Sequence, residues 1–203
     1  TVQAFNRAIK TIGGPPNLST AIDEPTVESA QALMNHPLVK LLVVTGGHAV
    51  IRAAQQSGKK VIAGGPGNPP VVVDETADLE KAAQCIIEGA SFENCTPCAS
   101  EKEIFVVEKV ADDLKAHLKG NGAYELDSGQ LEQLVSKVFR EVRGPGKAGS
   151  INYEYIGKDA RVLLGLIGID VDDDVEIIIT ETDRNHPLIW TEQSMPLIPF
   201  VRV

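Results

Sequence analysis

The sequence predicts an α/β chain built on parallel strands, and three observations carry that prediction. Apolar strand-like segments alternate with amphipathic helix-like ones, the pattern of βαβ units. Val39 to Val44, broken only by Lys40, is an apolar valine- and leucine-rich run of the kind buried on both faces of a parallel sheet. Glycines and prolines punctuate the segments at Gly13-Gly14-Pro15-Pro16, Gly46-Gly47 and Gly64 to Pro70. A length of 203 residues suits one domain or two small ones. With 43% apolar and 23% charged residues, the chain is not a disordered one.

In chain order, Val2, Phe5 and Ile9 at helical spacing open a first helix, which the Gly13 to Pro16 break ends. Asn17 to Ile22 reads as a short strand. Glu24-Pro25-Thr26-Val27-Glu28 starts a helix, with proline early and acids in its first turn. It runs to about Asn35, where His36-Pro37 stops it. After the Val39 to Val44 strand comes a helix over Ala49–Gln56, with Gly58 closing it. Val61–Ala63 and Val71–Val73 are further strands. Ala77–Ala90 is a helix with Leu79, Ala82, Ala83, Ile86 and Ile87 along one side. A loop over Ser91–Ser100, a strand over Glu103–Glu108 and a helix over Val110–Leu118 follow. Helices over Ser128–Val142 and Lys158–Ile167 flank a Gly/Pro/Lys loop, Arg143 to Ser150. Strands over Val175–Thr180 and from Leu197 complete the set. A composition shift near Asp74 marks a boundary between two lobes. Thr1 is not an initiator methionine, and the last residues read as a strand without a polar tail, so a piece of a longer protein is expected.

Asp and Glu outnumber Lys and Arg, 28 to 19, for a formal charge of −9. That balance argues against nucleic-acid binding, which needs cations concentrated on one face. No apolar run is long enough to span a bilayer, and no signal-peptide pattern opens the chain. Three cysteines do not make a disulfide framework and fit a reducing, cytoplasmic setting.

Chemistry concentrates in three segments. Cys95-Thr96-Pro97-Cys98 is a C-x-x-C, open to reading as a redox dithiol, half a zinc site or two inert loop cysteines. Zinc needs four ligands, and Cys85 sits in a helix stripe with no second pair, so no metal site is expected. A thioredoxin-like dithiol needs its motif at a strand exit opening a helix, and here helix precedes motif and strand follows. In Val43-Val44-Thr45-Gly46-Gly47-His48, a strand passes through glycines into a helix, a start whose free N–H groups attract phosphate. Gly64-Gly65-Pro66-Gly67-Asn68-Pro69-Pro70 holds no carboxylate, hydroxyl or imidazole, so it shapes a pocket but cannot act as a base.

These segments, with His36-Pro37, Gly67 to Asp78, Glu88-Gly89-Ala90-Ser91-Phe92, Gly122 to Leu126, Glu181-Thr182-Asp183, His186-Pro187 and Thr191-Glu192, resemble the aldehyde dehydrogenase superfamily. They look closest to its CoA-acylating branch, the propionaldehyde and acetaldehyde dehydrogenases of bacterial microcompartments. The resemblance implies a partial Rossmann-like cofactor lobe, residues 1–74, joined to an α/β catalytic lobe, residues 75–203, that is cut short at its C-terminal end. Cys98, in Cys98-Ala99-Ser100-Glu101-Lys102, falls on the family's nucleophile, whereas Cys95 stands where relatives often carry Asn. Thr45, Gly46 and Gly47 fall on the glycine turn beside NAD, Gly64 and Gly65 on the cofactor-side segment, and Glu192 on the carboxylate that holds the nicotinamide ribose. Gly64 replaces the Glu that activates water in hydrolytic relatives. The implied reaction is oxidation of a short aldehyde to acyl-CoA through an acyl-Cys98 thioester, with NAD as cofactor and coenzyme A as co-substrate. Implied partners are further copies of the chain and the shell or cargo proteins of a microcompartment. A thiol–disulfide protein built on Cys95 and Cys98 is the alternative.

Overall fold

The computed structural model describes residues 1–203, which divide into two compact units, Thr1–Pro66 and Gly67–Val203.

The first unit contains α1 (Val2–Thr11), α2 (Val27–Asn35), β1 (Leu41–Thr45), α3 (His48–Gln56) and β2 (Lys60–Gly64). Strands β1 and β2 pair in parallel, from Leu41 opposite Lys60 to Thr45 opposite Gly64. Helix α2 begins on a reciprocal cap. The Thr26 hydroxyl accepts from the Ser29 N–H at 3.1 Å, and the Ser29 hydroxyl accepts from the Thr26 N–H at 2.8 Å. It stops at His36, held extended ahead of Pro37. Two expectations fail in this unit. Asn17 to Ile22 forms no strand, because its backbone is tied to a side chain instead of a ladder: the Asn6 amide exchanges two hydrogen bonds with Ser19. The apolar run of β1 is not buried on both faces either. Only Leu42 is buried and Val43 is 71% exposed, since β1 has a single partner strand and α1 and α2 bury no residue.

The second unit runs through β3 (Pro70–Val73), α4 (Leu79–Ser91), β4 (Glu103–Val106), α5 (Glu108–Gly120), β5 (Ala123–Leu126), α6 (Ser128–Val138), β6 (Phe139–Glu141), β7 (Ser150–Ile151), α7 (Ala160–Gly165), β8 (Ile177–Glu181), α8 (Pro187–Trp190) and β9 (Leu197–Arg202). Five strands form an all-parallel sheet in the order β3-β4-β9-β8-β5. Alternate residues of its strands feed two cores. Ile177, Ile179, Ile198 and Phe200 pack with α4 and α5, while Ile178 and Leu197 pack with α6, α7 and α8. Burial on both faces explains the unbroken Ile177-Ile178-Ile179 run. The composition shift near Asp74 lies just past β3, whose pairing with β4 places that strand in the second unit.

One helix is shorter than its pattern suggests. The segment expected to be helical to Val142 leaves the helix at Val138, and Phe139–Glu141 pairs antiparallel with Ser150–Ile151 across a bulge. The Arg143 to Ser150 loop thereby becomes the connection of a hairpin. No helix is long and apolar enough to cross a membrane.

Candidate active site

In the first unit, the predicted cofactor-side residues converge at the carboxyl ends of β1 and β2, where open α/β sheets usually bind ligands. Thr45 lies opposite Gly64, and the Gly46 N–H donates to the Gly64 carbonyl at 3.2 Å. Gly47 is the N-cap of α3, with no side-chain cap over the first-turn N–H groups. A Cβ built at Gly47 or Gly64 would meet nothing within 4 Å, so the surface above these residues is bare backbone, and at Gly65 it would touch only Ile51 of α3. Such a surface fits a phosphate-bearing nucleotide.

In the second unit the arrangement is inverted, because Cys98 and Glu192 lie ahead of β4 and β9, at the amino ends of those strands. Cys98 sits in the turn Pro97–Ser100, closed by the Ser100 N–H donating to the Pro97 carbonyl at 3.2 Å. Its side chain is exposed and its own N–H has no acceptor within the chain. The approach to that turn is strained: Glu93, Asn94 and Cys95 take the left-handed backbone, with φ of 48°, 53° and 60°. Two braces hold it. The Asn94 amide donates to the Gly157 carbonyl at 3.0 Å and to Asp159 Oδ1 at 2.7 Å. The fully buried Lys102 ammonium donates to the Cys95 carbonyl and lies 3.5 Å from Cys95 Sγ. Burial pushes the Cys95 thiol above its ordinary value, against the opposing charge of Lys102, and the nearby Glu101 and Glu192 carboxylates add to the rise. Cys95 is thus a buried, protonated structural thiol.

The glycine-rich segment supports the turn from beneath. A Cβ at Gly67 would collide with the Cys98 carbonyl and stand 3.1 Å from Cys98 Cβ, so Gly67 permits a backbone approach that no other residue would. The Lys102 N–H donates to the Pro69 carbonyl at 2.9 Å. Asn68 bridges two elements: its Nδ2 donates to Glu103 Oε1 and, at 3.1 Å, to the Ile189 carbonyl of α8. On the far side of the loop, the Glu101 carboxyl fills the space over Gly89 of α4.

Glu192 is half-buried and follows α8. His186 caps that helix by accepting the Leu188 N–H on Nδ1 at 3.3 Å, and burial holds the imidazole pKa below its ordinary value, which keeps the acceptor nitrogen bare. Thr191 Oγ1 accepts from the Gly149 N–H at 2.9 Å, fixing the strand-like residue beside Glu192.

Sequence reasoning selected Cys98 and Glu192, placed Gly67 and Asn68 only in a pocket-shaping segment, and missed Lys102 and Glu103. Lys102 carried a signal, as the last residue of Cys98-Ala99-Ser100-Glu101-Lys102. The meeting of Asn68 with Glu103 carried none, the two being 35 residues apart and brought together by the β3–β4 pairing. The dithiol alternative has no support: Cys95 Sγ faces Lys102 and donates to the Glu101 carbonyl at 3.6 Å, out of solvent, while Cys98 is exposed.

Comparison with known proteins bears on this arrangement. The family described as aldehyde dehydrogenase matches residues 1–130. The acetylating acetaldehyde dehydrogenase EutE of Salmonella typhimurium is 44% identical over all 203 residues, which span 43% of that protein. A propionaldehyde dehydrogenase from the fucose-utilisation microcompartment of Clostridium phytofermentans superposes with a TM-score of 0.91 at 42% identity, covering 100% of this chain and 45% of its own. The Rhodopseudomonas palustris propionaldehyde dehydrogenase, solved with bound CoA and an acylated cysteine, is 44% identical with a TM-score of 0.88, over 98% of this chain and 44% of its own.

Proposed function

Given that the chain belongs to the aldehyde dehydrogenase family, we propose that it carries the nucleophile and part of the cofactor site of a CoA-acylating enzyme that converts a short aldehyde, NAD and CoA into acyl-CoA. The observation that carries this reading is Cys98: an exposed thiol on a turn braced by Asn94 and Lys102 and backed by Gly67. Thr45, Gly46, Gly47, Gly64 and Gly65 would hold NAD on bare backbone, and Glu192 would hold its nicotinamide ribose. NAD, when bound, supplies the hydride acceptor.

The protein's part follows from the residues. The Cys98 thiolate adds to the aldehyde carbonyl, forming the S–C bond and leaving an oxyanion. The free Cys98 N–H is placed to donate to that oxygen. Loss of hydride leaves the acyl group on Cys98 as a thioester. With glycine at position 64 and no general base in Gly64 to Pro70, water is a weak attacker, and the CoA thiol, giving its proton to solvent, takes the acyl group while Cys98 leaves as thiolate. In this reading residues 1–74 belong to the NAD-binding domain and 75–203 to the catalytic domain. The similarity to the Clostridium phytofermentans protein, which comes from a bacterial microcompartment, supports residence inside such a compartment, and assembly of several copies belongs to the same reading.

The test uses the longer polypeptide that contains this chain, supplied with propionaldehyde, NAD and CoA. NADH and propionyl-CoA are expected to form together, and Cys98→Ala to lower the rate by at least about 10⁴-fold. Intact-mass measurement without CoA is expected to find a propionyl group on Cys98. Substantial NADH formation in Cys98→Ala, or propionate as the product regardless of CoA, overturns the reading.

A further inference from the structure

Behind Cys98 lies a buried polar junction that the mechanism above does not use. Asn68 follows Gly67, the residue pressed on the Cys98 backbone, and its Nδ2 donates both to Glu103 Oε1 and to the Ile189 carbonyl. The amide orientation is settled by Ile189, whose carbonyl can only accept. Asn68 Oδ1 is buried and has no donor. Glu103 is 5% exposed and makes none of the chain's ion pairs. An ionised Glu103 has no proton to give that orphaned oxygen. A neutral one does: its carboxyl O–H can donate to Asn68 Oδ1 while its other oxygen accepts from Nδ2, so acid and amide satisfy each other.

We propose that Glu103 is a positioning residue for Cys98, acting as a neutral carboxylic acid that pairs with the Asn68 amide and so locks Gly67 beneath the nucleophile's backbone. Ionisation removes the one donor available to Asn68 Oδ1 and sets a carboxylate beside it, which loosens the lock. Burial, with no neighbouring charge contributing, raises the Glu103 pKa to about 7. The groups around it fit that account. Pro70 is its partner on β3, Ile189 faces the junction from α8, Phe200 of β9 lies opposite the next residue, Ile104, and the Lys102 ammonium is committed to Cys95. The lock is therefore closed below about pH 7 and open above it. The inference rests on Cys98 being the nucleophile, but labelling of Cys98 reads the lock without turnover.

The experiment follows wild type, Glu103→Gln, Glu103→Leu and the double variant with Asn68→Ala, in the longer polypeptide, from pH 6 to 9. Two readouts are taken: CoA-dependent NADH formation, and the rate at which iodoacetamide labels Cys98, by peptide mass. Glutamine reproduces the neutral acid, with an acceptor for Nδ2 and a donor for Oδ1. Glu103→Gln is expected to match wild type at pH 6 and to exceed it several-fold in both readouts at pH 8.5. Adding Asn68→Ala is expected to abolish that difference. Glu103→Leu is expected to be several-fold slower at every pH, and if it does not fold, the glutamine profile decides. Superimposable profiles for wild type and Glu103→Gln, or an unchanged glutamine effect without Asn68, overturn the proposal. Turnover that survives in Cys98→Ala while the labelling profiles part as expected would instead overturn the nucleophile assignment alone.

Discussion

The two compact units are written in the same alternation of strand and helix, yet they bury it differently. In the first, two strands and three helices leave Leu42 and Ala54 as the only buried apolar residues, with Phe5, Leu38, Val43 and Ile62 each more than half exposed. In the second, five parallel strands lie between two helical layers, and Ile177, Ile178 and Ile179 are all within 1% of complete burial. An apolar β-branched strand specifies extended backbone in both units. Whether it is buried depends on how many neighbours the sheet and its helices supply. The units also differ in what their ends of strand offer: bare glycine backbone in the first, and a thiol, a lysine and carboxylates in the second.

The contrast is sharpest in core substitutions. Phe200→Ala empties a fully buried site between β9 and the α4–α5 layer and is expected to cost about 3–5 kcal/mol of unfolding free energy. Val43→Ala, at a 71% exposed position, should stay within about 0.5 kcal/mol. Urea unfolding of the 203-residue chain measures both, and comparable losses would erase the distinction.

Chemistry gives the next largest effect. Placing a base where the first unit has only backbone tests whether, in the proposed reaction, the lack of one directs the acyl group to CoA. Gly64 has open space at its Cβ position, so Gly64→Glu is tolerated sterically. It is expected to raise the ratio of carboxylic acid to acyl-CoA product by about 100-fold or more. Product analysis by chromatography decides the matter, and an unchanged ratio removes Gly64 from the account.

Matched helix caps give the smallest effect. Thr26 with Ser29 and Asp127 with Gln130 form the same reciprocal cap, on α2 and α6 respectively. Asp127→Ala should lower global stability by about 1 kcal/mol, because α6 is pinned by Leu131, Leu134 and Val138. Thr26→Ala should instead speed amide exchange within α2 alone, since that helix buries nothing and opens locally. Exchange that spreads across the first unit in Thr26→Ala would mean that α2 is more tightly coupled than its exposure implies.

Much of the fold was legible because its signals are local. Pro37 forces His36 out of the helical region, and the apolar stripe that includes Ala83, Ile86 and Ile87 follows from helical geometry alone. The errors arose where a distant partner outweighed a local preference. Ser19 bonds to the Asn6 side chain in place of a strand, and Phe139 leaves a helical pattern to pair with Ile151. No strand is expected from the sequence at Ala123–Leu126, and β5 exists as one through pairing with β8.

The site divides along the same line. By itself, the sequence singled out Cys98, in Cys98-Ala99-Ser100-Glu101-Lys102, as the proposed nucleophile, and it determined the absence of a general base between Gly64 and Pro70. Only tertiary structure decided that Cys95 is an inert thiol under Lys102, that Gly67 lies against the Cys98 backbone, and that Asn68 meets Glu103. The reason is physical. Residue type and near neighbours set what a side chain can do, but burial and hydrogen-bond partners, which set its protonation state and its place, come from segments that only the folded sheet brings side by side.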